Sequence, residues 1–138
     1  MTTVIRKAAV GAPAGHCWQA LRDFGALHER LAAGFVTNTT MVTDRDREVT
    51  FFSGAVARER LIGIDDDAMR LAYSVVEGTM GATHHNASAQ IVPDGPDRCT
   101  FVWITDVLPD ELGPRIAGMM DAGLRAITST LEGDSAPA

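Results

Sequence analysis

The hydrophobic period of this chain changes once, late, and few folds accommodate the change. From Met69 the apolar residues fall at every second position, Met69, Leu71, Tyr73 and Val75, with Arg70 and Ser74 between them. That is the pattern of a strand with one buried face. His85, Ala87, Ala89 and Ile91 repeat it against His84, Asn86, Ser88 and Gln90, and Phe101, Trp103 and Thr105 repeat it again. After Pro109 the apolar stripe is Leu112, Ile116, Met119, Met120, Gly123, Leu124, Ile127 and Leu131, the spacing of one long helix over roughly Gly113 to Leu131. Pro114 falls in its first turn, where a missing N–H costs nothing. One helix that follows a run of strands must cover their apolar face. The expected class is therefore α+β, a curved antiparallel sheet of about seven strands wrapped around the C-terminal helix.

The remaining segments fit that plan. Val4 to Val10 reads as a first strand, closed by Gly11 and Pro13. Ala14 to Phe24 carries Cys17, Trp18, Leu21 and Phe24 at helical spacing, and Ala26 to Ala32 reads as a second short helix ended by Gly34. Phe35 to Val42 is Thr-rich and β-branched, hence a strand. Asp44 to Arg47 reads as a charged turn and Glu48 to Ser53 as the next strand. Ser53-Gly54-Ala55 turns the chain into a strand over Ala55 to Ile64, and Asp65-Asp66-Asp67 is a solvated turn into Ala68 to Val76. Glu77 to Gly81, with two glycines, is expected to be a mobile loop. Residues 1–132 read as a single domain and 133–138 as a disordered tail.

Composition excludes several functions. The chain has 138 residues and a net charge of −6, with no basic stripe for phosphates, so no nucleic-acid partner is expected. No apolar run approaches the ~18 residues of a membrane span, and the N-terminus lacks the order of a signal peptide. A cytoplasmic location follows as an expectation. Cys17 and Cys99 then read as small buried hydrophobes rather than a disulfide.

Glu59 is the residue that does not fit a plain core. If Leu61 faces the interior, Ala57 and Glu59 do too, and Arg58 and Arg60 face water. A carboxylate there is a pocket acid, binding a ligand hydroxyl or acting as a base, or half of an ion pair with an arginine near the rim, or the mark of a different register that puts it in water. An unpaired Glu59 would tolerate Glu59→Gln with equal or higher melting temperature, because a lone buried charge costs stability. His85 falls in the same concavity, as a proton-sharing partner of Glu59 or as a neutral core histidine. No metal site is expected: His84 and His85 point to opposite faces, and Asp65-Asp66-Asp67 lacks the Gly and Glu of a calcium loop. No phosphate loop, nucleophile arrangement or cofactor signature stands out.

Taken together, the helix Cys17 to Phe24, the Ser53-Gly54 turn, the Arg58-Glu59-Arg60-Leu61 strand, the Ile64-Asp65-Asp66 turn, Tyr73 and the late strand with Trp103 resemble the START-like, birch-pollen-allergen-like (SRPBCC) superfamily. The bacterial polyketide cyclase/dehydrase-type branch is most similar, over about Val4 to Glu132. The resemblance implies a helix-grip fold with an internal cavity. The same region is similar to the plant abscisic acid receptors, in which the Ser-Gly turn belongs to a gate and the matching Glu lies inside the pocket. Here Ala57 stands where those receptors have a Ser two strand positions earlier, His85 where many relatives have a pocket Tyr, and Thr37 where the ligand-pairing Lys would be.

The reading is a small hydrophobic-ligand-binding protein, its partner a small hydrophobic or aromatic molecule, the protein itself a monomer or homodimer. Candidate ligand-binding residues are Phe24, Phe35, Phe51, Ala57, Glu59, Leu61 and Tyr73, with His85, Trp103, Ile116, Met119, Met120 and Gly123. Ser53, Gly54, Ala55, Gly78 and Met80 are the candidate gate residues. Two alternatives stand beside it: a polyketide cyclase/dehydratase-like enzyme with Glu59 and His85 as the proton-transfer groups, and a ligand-gated protein-interaction module.

Overall fold

The computed structural model describes residues 2–133. The elements follow in the order β1 (Thr2–Val10), α1 (Ala14–Arg22), β2 (Val36–Met41), β3 (Asp46–Phe51), β4 (Val56–Asp65), β5 (Arg70–Glu77), β6 (His84–Pro93), β7 (Cys99–Leu108) and α2 (Gly113–Glu132). All seven strands belong to one antiparallel sheet in the order β1-β7-β6-β5-β4-β3-β2. Each strand from β2 to β7 lies beside its successor, as short hairpin connections require. Only β1 crosses the molecule, to pair with β7 from Thr2↔Val107 to Val10↔Cys99.

The period change at Pro109 has the expected outcome. The 20-residue helix α2 buries Ile116, Met120, Gly123, Leu124, Ile127 and Leu131 against the concave face of the sheet. That face supplies Leu71, Ala87, Ala89, Ile91 and Phe101 to the core. Gly133 ends α2 at φ 79, returning its N–H to Ser129 and Thr130 carbonyls, a left-handed cap that favours glycine. The rest of the tail expected at 133–138 lies outside the described residues.

Five local expectations are corrected. The chain over Ala26 to Ala32 is a 3₁₀ turn, Phe24–Ala26, followed by a π-helical turn, Leu27–Leu31. Strand β5 starts at Arg70, because Met69 adopts φ 52 in the turn before it. The charged turn is shorter than Asp44 to Arg47: β3 begins at Asp46, and both Asp46 and Arg47 are buried. Buried charges persist where they are paired, and here each has a partner on β4. Asp46 bonds Arg60 Nε and Arg58 Nε, both at 2.9 Å, which holds its carboxyl below the usual carboxylate range. Arg58 and Arg60 thus lie across Asp46 rather than simply facing water. Asp66 is likewise more than a solvated turn residue. Its Oδ1 accepts from Trp18 Nε1 and Arg22 Nε, both at 2.9 Å, and ties α1 to the β4–β5 turn.

Candidate ligand chamber

The sheet and α2 do not close completely on each other. Between them lies a chamber of two compartments. The inner one, about 90 Å³, is lined by Tyr73, Phe101, Trp103, Ile116, Met120 and Gly123 among others. The outer one, about 280 Å³, runs out past Ala57 to the β3–β4 turn and the β5–β6 loop. Phe35, Phe51, Glu59, His85 and Met119 line both and form the waist between them.

Strand register brings the polar waist together. Arg47 stands directly opposite Glu59 across β3 and β4, and Glu59 opposite Val75 on β5. Arg47 Nε and Nη2 approach Glu59 Oε1 at 2.9 and 2.7 Å, and Arg47 Nη1 donates to the Phe24 carbonyl at 3.0 Å. The guanidinium sits 3.7 Å from the Phe24 ring centroid and 5.6 Å from that of Tyr73, so aromatic faces cover what hydrogen bonds do not. Both side chains of the pair are under a tenth exposed. The open alternative at Glu59 is resolved: the carboxylate is inside the concavity and is ion-paired, with Arg47. The expectation of an equal or higher melting temperature for Glu59→Gln rested on an unpaired carboxylate and no longer holds.

Both contacts from Arg47 fall on one oxygen. Glu59 Oε2 has no hydrogen-bond partner among the described residues and is not sealed from the chamber. His85, half-buried on β6, is in the same condition: its imidazole makes no hydrogen bond among the described residues. Burial holds His85 below its ordinary value, partly opposed by the charge of Glu59, so the ring is neutral near pH 7. Deeper in, Trp103 Nε1 donates to the Tyr73 hydroxyl at 3.3 Å, and burial raises the Tyr73 phenol well above its ordinary value. Gly123 lets α2 approach this pair; a Cβ there would lie 3.0 Å from Trp103 and 3.3 Å from Phe35.

Of the sequence-derived candidates, Phe35, Phe51, Ala57, Glu59, Tyr73, His85, Trp103, Ile116, Met119, Met120 and Gly123 line the chamber. Ser53, Ala55, Gly78 and Met80 border its outer compartment. Three candidates do not line it. Phe24 lies beneath the Arg47 guanidinium, Leu61 packs into the core beside an irregularity in the β4–β5 pairing, and Gly54 caps its turn at φ 88 facing open space. Thr37 is exposed on β2 and donates to the Thr50 carbonyl. Arg47, which lines the inner compartment and pairs with Glu59, is the chamber residue that sequence reasoning missed. Its signal was present, since Arg47, Val49 and Phe51 alternate in register, but it was hidden by reading the charged run as a turn. Thr105 of the inner compartment, and Arg115 and the 67%-exposed Phe52 of the outer one, were also missed.

Comparison with known proteins agrees with this architecture. Residues 1–132 match the family described as polyketide cyclase / dehydrase and lipid transport, and the chain belongs to that family. No curated protein matches the sequence. A solution structure from Thermobifida fusca is 28% identical, with TM-score 0.79, covering 98% of this chain and 96% of that one. A START superfamily protein from Mycobacterium smegmatis is 18% identical, with TM-score 0.74 and 96% and 95% coverage. Norcoclaurine synthase from Thalictrum flavum, in complex with dopamine and hydroxybenzaldehyde, is 21% identical, with TM-score 0.74 and 99% and 89% coverage. Likeness at the last two levels of identity speaks for the fold alone.

Proposed function

We propose that this protein binds a small, mostly apolar molecule in the chamber between the sheet and α2. The observation that carries this reading is the waist: Glu59 Oε2 and the His85 imidazole, both unsatisfied, in a chamber otherwise walled by aromatic, aliphatic and Met side chains. Apolar walls supply affinity and a few convergent polar atoms fix orientation. Met119 and Met120 suit a ligand of irregular shape, since Met conforms to what it packs against. The dopamine and hydroxybenzaldehyde bound by norcoclaurine synthase are aromatic molecules of suitable size, which supports the same ligand class by analogy of fold. Native mass spectrometry of freshly purified protein tests the reading. A retained mass that departs on unfolding is expected. An empty protein whose melting temperature no apolar or aromatic compound raises would overturn it.

A second reading is favoured by the state of His85. A neutral, unpartnered imidazole beside an ion-paired carboxylate is placed to take a proton from a bound substrate, as cyclisation or dehydration of a polyketide-like chain requires. Turnover of an aromatic polyketide mimic that is lost in His85→Gln, with binding of the same compound retained, is the result expected of an enzyme. Retained turnover in that variant would remove His85 from the chemistry.

A further inference from the structure

We propose that the chamber selects a hydroxylated aromatic ligand, whose hydroxyl donates its hydrogen to Glu59 Oε2 and accepts one from His85. The inference deepens the ligand-binding reading above and rests on it.

The asymmetry of the buried ion pair is the starting point. Two guanidinium nitrogens converge on Oε1, within 2.7 and 2.9 Å, and saturate it. Oε2 has no hydrogen-bond partner among the described residues, and the Glu59 side chain lines both compartments at the waist. An ionised carboxylate has acceptor capacity only, so the ligand atom that meets Oε2 must carry a hydrogen. Arg47 is already engaged before any ligand arrives. Its Nε and Nη2 face Glu59, its Nη1 is used by the Phe24 carbonyl, and its flat face is covered by the Phe24 ring. A ligand carboxylate at the waist would therefore meet a carboxylate oxygen, not a free cation. His85, a neutral imidazole, carries one N–H and one bare nitrogen. A hydroxyl, which donates and accepts at one atom, satisfies both side chains at once. An ether oxygen meets only the imidazole, and a hydrocarbon meets neither. The waist is otherwise built of Phe35, Phe51 and Met119, with Tyr73 and Trp103 beyond it, surfaces that favour an aromatic ring over a flexible chain.

Isothermal titration calorimetry on the intact protein separates the possibilities with four probes of one shape: 2-naphthol, 2-naphthylamine, 2-methoxynaphthalene and 2-naphthoate. A hydrogen bond to a charged group predicts that 2-naphthol binds about ten- to a hundredfold tighter than its methyl ether. The naphthoate is expected to be the weakest of the four. The amine distinguishes a simple need for a donor from a need for a hydroxyl: binding as tight as the naphthol overturns the hydroxyl and leaves only the donor. Equal affinity of naphthol and ether overturns the selection at Glu59 while leaving an apolar-binding chamber in place. Binding of none of the four overturns the chamber reading as well. The double variant Arg47→Met, Glu59→Gln removes both charges together, so it leaves no stranded guanidinium. It is expected to bring naphthol and ether within about threefold of each other. A naphthol preference that survives it would overturn the role of Oε2.

Discussion

Neutralising one member of a buried ion pair strands the other. Glu59→Gln leaves the Arg47 guanidinium charged, under a tenth exposed and facing an amide. The expected cost is about 3–5 kcal/mol in chemical denaturation, and Arg47→Met in the same chain should recover most of it. Similar stability of the single variant and the wild type would mean that the pair contributes nothing net. His85 makes a second residue-scale prediction. Its pKa in the folded chain lies below the ordinary 6.5, first because it is desolvated, with Glu59 opposing and the charge of His84 adding to the depression. The unfolded chain therefore takes up this proton more readily than the folded one. Stability from this group is intact above about pH 6.5, falls as the pH drops from there toward the folded-state value, and levels off below it. Denaturation at pH 7.5 and 5.5 should show a smaller acid-side loss in His85→Gln than in wild type; equal losses would count against it.

At the scale of elements, alternation was the most legible signal. It oriented Glu59 and His85 correctly, because in a strand the face of one residue fixes the face of every second neighbour. It failed where composition argued against a strand. Asp46 and Arg47 look like turn residues, and only their partners on β4 explain how two adjacent charges are buried on opposite faces of one strand. Those partners lie more than ten residues away, and nothing local announces them. Leu61 packs against the core as alternation expects, without lining the chamber. The close approach of α2 at Gly123 was legible only as a gap in the helical stripe. Gly123→Ala should gain about 1 kcal/mol of helix propensity, but its new methyl must push Trp103 or Phe35 toward the chamber. Overpacking of that kind costs about 1–3 kcal/mol, which should appear as weaker binding of a bicyclic probe with little change in melting temperature. Unchanged affinity would show that the helix can retreat.

Over the whole molecule, the chamber is a place where the core was left unfilled, and a ligand should stabilise the fold in proportion to its affinity. At a hundredfold excess over Kd the gain is about 2.7 kcal/mol, read as a rise in melting temperature. The loops that border the outer compartment, Ser53–Ala55 and 77–81, should exchange backbone hydrogens more slowly once a probe is bound. Equal protection in both states would argue against any movement there. The overall topology was the most legible feature because it follows from the order of periods and the shortness of the hairpins. The placement of Glu59 and His85 in the concavity was legible and the pairing of Glu59 was not, since its partner lies in the segment that composition reads as a turn. The facing charges of β3 and β4 also bear on how the molecule assembles. Asp46 and Arg47 meet Arg60 and Glu59, so the sequence of signs on one strand is the complement of that on the other. Slide the strands one residue in one direction and Asp46 faces Glu59 while Arg47 faces Arg58; slide them one residue in the other and Arg47 faces Arg60 while Glu48 faces Glu59. Each puts a pair of repulsions in place of the three opposite-charge pairings of the native register. The six charges thus work as a checksum on the hairpin: of these three alignments, only the one that builds the chamber's polar waist passes it.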